Sequence, residues 1–272
     1  MTFFVAVDEF AINLRFNPFT KEIPIDKLFL SKNLEELTSR LMYLQKARGI
    51  GLIIGEAGTG KTTALRKYAQ SLNPALFQSF YFPLATVTVQ EFYRGLALEL
   101  GEEPKHKKVD LFHQIQSAID SMYYERRVTP VIILDEIHMA SNKLLEDLRI
   151  IFNFNMDSEN PFILILAGQP LIRSKLALNV NNPLRQRIVV KHMMNNMQKD
   201  ELGEYLKTRL AFGGTHEELF TAPAVEAIYG VTSGVPRLVN SLATNCLLYA
   251  CEKKQRQVDE ETVYQAQSEL NF

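Results

Sequence analysis

The 272-residue chain has few cysteines, only short apolar runs and almost no net charge. Its two cysteines, Cys246 and Cys251, have no histidine pair at ligand spacing near them, which predicts core thiols rather than a metal site. Apolar runs such as 162–167 are far shorter than the roughly 20 residues of a membrane-spanning helix. A formal charge of −1 excludes a global electrostatic attraction to nucleic acid, so DNA contacts would need local basic clusters.

The amino-terminal stretch 1–7 is apolar, but it lacks a basic leader and meets Asp8 and Glu9 at once, so it does not resemble a signal peptide. The sequence also lacks internal repeats, low-complexity tracts and a flexible linker. Its 46% apolar content is ample for a buried core. We therefore expect a globular cytoplasmic protein without a membrane partner.

The strongest positive signal is residues 55–62, GEAGTGKT, which fit the phosphate-loop pattern G-x-x-x-x-G-K-[ST] at every specified position. An apolar, β-branched run precedes this stretch, and a segment of helical composition follows it. In a strand, loop and helix of this kind, glycines let backbone N–H groups surround phosphates, and the helix N-terminus adds positive partial charge. The pattern predicts that Lys61 binds the β- and γ-phosphates and Thr62 a Mg²⁺ ion. The predicted nucleotide-binding residues here are Gly55, Glu56, Ala57, Gly58, Thr59, Gly60, Lys61, Thr62 and Thr63.

A second signal is the apolar run 131–134, which ends in Asp135 and Glu136. Where a strand leaves the sheet, Asp135 could hold Mg²⁺ beside the phosphate-loop threonine. Glu136 could orient and polarise the water that attacks the γ-phosphate. Alone, the run also fits a strand end with two solvated acids. Together with the phosphate loop, it predicts a site that hydrolyses a nucleotide.

Apolar runs separated by helical segments of ten or more residues predict βαβ crossovers and a parallel sheet. The predicted strands lie at 50–54, at 77–89 with a loop near 83–88, and at 131–134, 162–169 and 188–190. A helix is predicted before them at 31–47, and others between them at 62–71, 89–100, 110–124 and 144–154. Four further helices are predicted at 198–211, 222–229, 235–252 and 259–269. The expected fold is α/β: an extended arm and a nucleotide-binding domain over 1–196, followed by a small all-helical lid domain over 197–272.

Three arginines could complete the site. Arg185 and Arg187 lie in a short helix or turn, and arginine offers a bidentate, always-charged donor that could reach the γ-phosphate of a neighbouring subunit. Either residue could instead make surface ion pairs. Arg237 begins a helix of the second domain and could touch the bound nucleotide, or it could be a helix-surface arginine.

This order of motifs closely resembles the AAA+ ATPases over nearly the whole chain. More narrowly, residues 17–19, 153–158, 168–171 and 184–188 resemble the ExeA/GspA-type branch, which is related to the transposition ATPases TnsC, TniB, IstB and MuB. The resemblance implies sensor 1 at Gln169, an arginine finger at Arg187 or Arg185, sensor 2 at Arg237, and packing of Asn17 to Phe19 beside the adenine. Sensor 1 is more often Asn, Ser or Thr, so Gln169 departs from the usual pattern.

The resemblance implies ATP and Mg²⁺ as ligands. The guanine-reading pattern Asn-Lys-x-Asp is missing, because Asn142 and Lys143 are followed by two leucines, and this favours ATP over GTP. The function expected first is an ATP-dependent regulator of DNA transposition. Such a protein would assemble as a ring or helical filament on duplex DNA and recruit or activate a transposase, with target-selection proteins as further partners.

Two alternatives remain open. One is an ExeA/GspA-type secretion or envelope-assembly ATPase that acts on protein partners, and the other is a clamp-loader or initiator-like AAA+ protein. The former type would be expected to continue into a membrane segment and a peptidoglycan-binding domain after the lid, and neither follows here, which favours transposition.

DNA contact is expected in the loops after the second strand and its helix, because these face the ring interior in the transposition relatives. The candidate residues are Thr86, Thr88, Lys105, Lys107 and Lys108. Lysines neutralise phosphates without reading bases, so binding to duplex DNA should be salt-dependent and largely independent of sequence. The alternative is a solvated basic loop without a ligand.

Overall fold

The computed structural model describes residues 14–83 and 88–270, and these residues form two compact units. The α/β unit contains 34–57 and 61–194. The helical unit contains 195–270 together with 14–33 and the phosphate-loop residues Gly58–Gly60. Thr86, one of the predicted DNA contacts, lies outside the described residues.

A five-stranded parallel sheet forms the centre of the α/β unit, in the spatial order β2-β3-β4-β1-β5. The strands are β1 (Gly49–Gly55), β2 (Phe77–Pro83), β3 (Thr129–Asp135), β4 (Ile163–Gly168) and β5 (Ile188–Met194). β1 and β3, which precede the two sequence motifs, both pair with β4. The carboxyl ends of β1, β3 and β4 therefore meet at one edge of the sheet. The predicted parallel sheet is confirmed.

Helices cover both faces of this sheet. They are α1 (Lys32–Ala47), α2 (Lys61–Ser71), α3 (Val89–Glu99), α4 (Lys108–Asp120), α5 (Asn142–Ile151), α6 (Leu171–Ala177) and α7 (Asn182–Gln186). Because successive strand residues point to opposite faces, Ile132 packs in the cluster with α3, α4 and α5, whereas Ile133 packs in the cluster with α1 and α2. The strands read as continuous apolar runs because both of their faces are buried.

Two local details differ from the sequence prediction. Helix α6 was not predicted, since seven residues are too few to show a helical apolar period. The chain after α4 continues as a π-helical turn, Ser121–Glu125. β2 ends at Pro83, and α3 begins at Val89 with Thr88 and Glu91 forming a capping box, which agrees with the predicted strand end and helix start.

The four predicted carboxyl-terminal helices are α8 (Lys199–Gly213), α9 (Ala222–Thr232), α10 (Pro236–Glu252) and α11 (Glu260–Leu270), and they share one core. Leu14 and Phe19 are buried in that core, and Arg209 donates to the carbonyl oxygen of Thr20 at 2.6 Å. The described part of the predicted arm therefore packs with the helical unit. Cys246 is a buried free thiol whose pKa burial raises to about 12, and Cys251 packs against the same core.

Candidate active site

The loop between β1 and α2 holds a buried lysine. Gly58 and Gly60 have φ values of 84° and 94°, a backbone region that residues with a Cβ rarely adopt. Lys61, the first residue of α2, is buried, and its Nζ donates to the carbonyl oxygens of Gly55 at 2.8 Å and Glu56 at 2.9 Å. A lysine ammonium thus lies at the N-terminus of a helix, where the helix dipole also favours a bound anion.

The remaining loop residues differ in their exposure. Thr59 is buried, Thr63 is half-buried, and Glu56, Ala57 and Thr62 are exposed. The exposed Thr62 therefore follows directly after the buried lysine.

Asp135 joins the two sequence motifs. It is only 2% exposed at the end of β3, and its Oδ2 accepts hydrogen bonds from Thr62 Oγ1 at 2.8 Å and from Tyr81 OH at 3.0 Å. Its Oδ1 accepts from the backbone N–H of Glu136 at 2.9 Å. Three donors compensate for the burial of this carboxylate and fix its orientation.

The paired oxygens of Thr62 and Asp135 fit a magnesium site. Mg²⁺ prefers hard oxygen ligands and in nucleotide sites is held by one or two protein side chains together with substrate phosphates. A hydroxyl and a carboxylate 2.8 Å apart beside the phosphate loop match that donor set. Among residues 14–83 and 88–270, no group of three or more His, Cys, Asp or Glu side chains forms an all-protein metal cage.

Glu136 begins the 3₁₀ turn Ile137–Met139 in the left-handed backbone region, with φ 58° and ψ 32°. Such a conformation costs about 1–3 kcal/mol in a residue other than glycine and clusters at functional sites. The Glu136 Oε2 atom is buried and lies 3.1 Å from His138 Nδ1, without a hydrogen-bond partner among the described residues. Its backbone is fixed by the bond to Asp135, while one carboxylate oxygen is not satisfied.

Gln169 follows β4, and its backbone N–H donates to His138 Nδ1 at 3.3 Å. The structure therefore brings Glu136 and the predicted sensor residue to the same imidazole ring. His138 is only 8% exposed. Neither the phosphate loop nor the acidic pair points to this histidine in the sequence.

The two candidate finger arginines have different surroundings. Arg185, on α7, is exposed and donates to Asn182 Oδ1 at 2.8 Å. The Arg187 side chain is 15% exposed, is paired with Asp157, and donates to the carbonyl oxygens of Arg149 at 2.8 Å and Phe152 at 3.0 Å. In this conformation Arg187 ties together a loop of its own unit, whereas Arg185 faces solvent.

The predicted contacts of the helical unit are partly structural. Asn17 donates to Thr244 Oγ1 at 3.2 Å and accepts from the backbone N–H of Phe19 at 3.0 Å. Phe19 is 4% exposed and packs edge-on against Phe220. Within the same unit, the backbone N–H of Arg237 donates to the carbonyl oxygen of Gly58 at 3.3 Å.

The predicted DNA-binding residues also separate into groups. Thr88 caps α3, and Lys105 and Lys107 are exposed before α4. Lys108 instead forms an ion pair with the buried Asp147 at 2.6 Å and lies over the ring of Tyr93. Of the three lysines, Lys108 thus has a structural role between helices α3, α4 and α5.

Tyr81 is a site residue that the sequence analysis missed. Its ring is 44% exposed, but its hydroxyl points to Asp135. Burial of the hydroxyl region, reinforced by the neighbouring Asp135 charge, raises the pKa of Tyr81 to about 12, so the hydroxyl stays protonated as a donor. Only the parallel pairing of β2 with β3 brings this tyrosine to the site, and the sequence does not reveal that register.

Comparison with known proteins agrees with this architecture. Residues 44–176 match the family model of the AAA domain. Cdc6p from Pyrobaculum aerophilum superposes with a TM-score of 0.71 over 93% of this chain and 70% of its own, at 15% identity. The chain has the AAA+ P-loop fold. The Aeropyrum pernix ORC1 protein, solved in complex with DNA, is similar with a TM-score of 0.69 over 94% of this chain and 70% of its own, at 18% identity.

A relative that is similar in sequence is General secretion pathway protein A of Aeromonas hydrophila. It is 26% identical over 226 residues, which are 82% of this chain and 41% of that protein. The chain thus spans less than half the length of this relative. The similarity favours the secretion alternative, and the expected relationship to transposition ATPases gains no support from these comparisons. Among the described residues, no helix has the length and apolar character needed to span a membrane.

Proposed function

We propose that the chain is a Mg²⁺-dependent AAA+ ATPase that assembles with copies of itself and uses ATP to act on a protein partner in secretion or envelope assembly. The observation that carries the ATPase assignment is the hydrogen bond of 2.8 Å between Thr62 Oγ1 and Asp135 Oδ2, which joins the two motifs. The similarity to General secretion pathway protein A over 82% of the chain supports the choice of partner class.

Binding of the nucleotide rests on the loop and its lysine. The N-terminus of α2 and the Lys61 ammonium favour the β- and γ-phosphates of ATP, and the positive-φ glycines allow the backbone to approach them closely. Arg237 is a further proposed contact, because its backbone bonds to Gly58. Asn17, Phe19 and Gln169 remain proposed nucleotide contacts on the resemblance alone.

Hydrolysis requires a water that attacks the γ-phosphorus while the bond to the bridging oxygen of ADP breaks. The Glu136 carboxylate orients this water and accepts its proton, since phosphoryl transfer depends mainly on positioning and charge stabilisation. Held by Thr62 and Asp135, Mg²⁺ would neutralise charge on the phosphates. Tyr81 keeps Asp135 in place through its hydrogen bond.

Assembly of several copies would place a cation from one subunit at the site of the next. Arg185 is exposed, and among the described residues its side chain bonds to Asn182 of the same helix, so we assign the finger role to Arg185. Arg187 is already engaged with Asp157 and two carbonyl oxygens. Mixing Arg185→Ala subunits with Glu136→Gln subunits should restore hydrolysis, because the intact base and the intact arginine can then meet at one interface.

The ATPase assignment is tested by hydrolysis and nucleotide-binding assays on three variants. Glu136→Gln should bind ATP as tightly as the wild type and hydrolyse it about 100-fold or more slowly, because it lacks the proton acceptor. Lys61→Ala should lose binding itself. Glu99→Gln, an exposed glutamate on α3, is the matched control and should behave as the wild type. Wild-type protein that binds no ATP would refute the assignment.

A DNA-binding regulator of transposition is the second candidate. It is favoured by the exposed Lys105 and Lys107 and by the likeness to an ORC1 protein solved with DNA. This candidate predicts assembly on duplex DNA of random sequence, with affinity falling steeply as salt rises. The double variant Lys105→Ala/Lys107→Ala should weaken that binding.

One pair of experiments separates the two candidates. Electron micrographs of the Glu136→Gln protein with ATP, with and without duplex DNA, would reveal rings or filaments and whether they need DNA. Cross-linking of the same variant in cells would identify its neighbours. Envelope-assembly proteins among them would support the first candidate, whereas DNA-dependent filaments cross-linked to a transposase would support the second.

A further inference from the structure

His138 presents one ring nitrogen to two different groups. Its Nδ1 lies 3.1 Å from Glu136 Oε2 and accepts the backbone N–H of Gln169 at 3.3 Å. The ring is 8% exposed, so water cannot readily replace either partner. The Glu136 Oε2 atom is itself buried and has no hydrogen-bond partner within residues 14–83 and 88–270.

A neutral imidazole cannot satisfy both groups at Nδ1. With its proton on Nε2, Nδ1 is an acceptor that takes the N–H of Gln169, and its lone pair then faces an acceptor oxygen of Glu136. With its proton on Nδ1, the ring donates to Glu136 Oε2, and the N–H of Gln169 loses its acceptor. Each arrangement leaves one of the two polar groups without a partner at this nitrogen.

The backbone around the ring is held in place. Lys175 Nζ, from α6, donates to the carbonyl oxygens of His138 at 2.6 Å and Ala140 at 2.7 Å. Gly168 packs so closely that a Cβ there would come within 3.0 Å of the backbone nitrogen of His138. The backbone N–H of Glu136 is bonded to Asp135. Changes at this point are thus confined to the side chains of Glu136 and His138 and to the residue after β4.

We infer that His138 is a positioning residue that holds the Glu136 carboxylate through Nδ1–H and releases it when Gln169 takes Nδ1. This inference rests on the proposed ATPase function, in which Glu136 orients the attacking water. A small shift of the segment that begins at Gln169 determines whether Nδ1 bonds to Glu136 or to the backbone N–H of Gln169. The end of β4 and the base at the end of β3 are thereby coupled through the His138 ring.

Three substitutions at His138 test the role through steady-state kinetics. Asparagine can place an amide group near the position of Nδ1, leucine removes the polar group, and glutamine places its amide farther out. We expect kcat to fall about 100-fold in His138→Leu and His138→Gln, as a misplaced catalytic group does, with KM and the Kd for ATP changed less than about threefold. His138→Asn should recover most of kcat.

His192→Leu is the matched control, because His192 is also a buried histidine of the α/β unit but lies on β5. It should retain kcat. Thermal unfolding of all variants separates a loss of fold from a loss of positioning. An Asn variant as slow as the Leu variant, or a Leu variant with wild-type kcat, would overturn the inference.

Nitrogen NMR of the histidine-labelled protein gives a readout without turnover. The proton on His138 should move between Nε2 and Nδ1 when a non-hydrolysable ATP analogue is added, and a ring that keeps one tautomer in both conditions would overturn the coupling. Wild-type protein that binds the analogue, but hydrolyses no ATP, would refute the ATPase proposal while leaving the tautomer result readable. The two failures are therefore distinguishable.

Discussion

The amino and carboxyl edges of the parallel sheet, where the strands begin and end, differ in how their polar side chains are paired. At the amino edge, Arg187 is paired with Asp157, and Glu159 accepts hydrogen bonds from Tyr124 and Asn155. At the carboxyl edge, the buried Glu136 Oε2 lacks a hydrogen-bond partner among the described residues. Completed pairing stabilises the fold, whereas incomplete pairing beside a phosphate loop is typical of a site that must bind and release groups during a reaction.

Backbone strain does not distinguish the edges. Glu136 has φ 58° at the carboxyl edge, and the three consecutive residues Asn155, Met156 and Asp157 have φ values of 46°, 55° and 68° at the amino edge. Left-handed residues alone would have pointed to both edges. The difference lies in what surrounds them, since the loop 155–157 is closed by hydrogen bonds and Glu136 faces an imidazole with two competing partners.

The largest effect is expected when the positive charge of Lys61 is removed from the carboxyl edge. Lys61→Ala removes the buried ammonium of the phosphate loop, so ATP hydrolysis should fall about 1000-fold or more. Fluorescent-nucleotide titration should find no saturable binding in the micromolar range. Lys67→Ala, on the same helix, is the control and should keep both activities. Equal losses in the two variants would contradict a specific role of Lys61.

The second largest effect is expected at Arg185 and Arg187, which should differ in their contributions to the free energy of unfolding. Arg187→Ala removes an ion pair and two bonds to carbonyl oxygens, so the free energy of unfolding should fall by about 2–3 kcal/mol. Arg185→Ala should change it by less than about 0.5 kcal/mol, as exposed substitutions do. Urea denaturation measures both values.

The ATPase activity should show the opposite order, with the larger loss in Arg185→Ala. Arg185→Ala should lower the ATPase rate of the assembled protein about 100-fold or more, because a trans-acting arginine stabilises the transition state. Arg187→Lys keeps the charge but loses the forked geometry and should reproduce part of the stability loss. If Arg187→Ala unfolds like the wild type and loses hydrolysis, the assignments must be exchanged.

The third effect concerns the residue that supports Asp135. Tyr81→Phe removes one of three donors to this carboxylate while keeping the ring, so kcat should fall about 10-fold, as is usual when a group that orients a metal ligand is lost. The apparent Mg²⁺ affinity, measured from nucleotide binding at varied Mg²⁺, should weaken by a similar factor. If kcat and its Mg²⁺ dependence are unchanged, Tyr81 has only a packing role.

Much of this site follows from local sequence. The phosphate loop needs glycines and a lysine at fixed spacing, and Asp135 and Glu136 stand directly after an apolar strand, so both motifs are recognisable before folding. Tyr81 reaches Asp135 only through the pairing of β2 with β3, and His138 meets Gln169 only through the close approach at Gly168; neither contact has a spacing rule in the sequence. The separate roles of Arg185 and Arg187 likewise depend on a loop some thirty residues earlier in the chain.

The smallest expected effect comes from relieving backbone strain at the amino edge while leaving its hydrogen bonds in place. Met156 is fully exposed with φ 55°, and its side chain packs against nothing that would compensate for a left-handed conformation. Met156→Gly removes that conformational penalty, but it also gives the unfolded chain more freedom, so the net gain in stability should be about 0.5–1 kcal/mol. Thermal and urea unfolding should both register the increase.

Met156→Ala is the control, because it shortens the side chain while keeping the Cβ, and it should leave stability near that of the wild type. The ATPase rate should be unchanged in both variants, since Met156 lies at the edge away from the phosphate loop. A stabilised Met156→Gly protein with normal hydrolysis would show that the strain at Met156 lowers the stability of the fold and has no role in hydrolysis. A destabilised one would mean that the added freedom of the unfolded chain outweighs the relief of strain at this position.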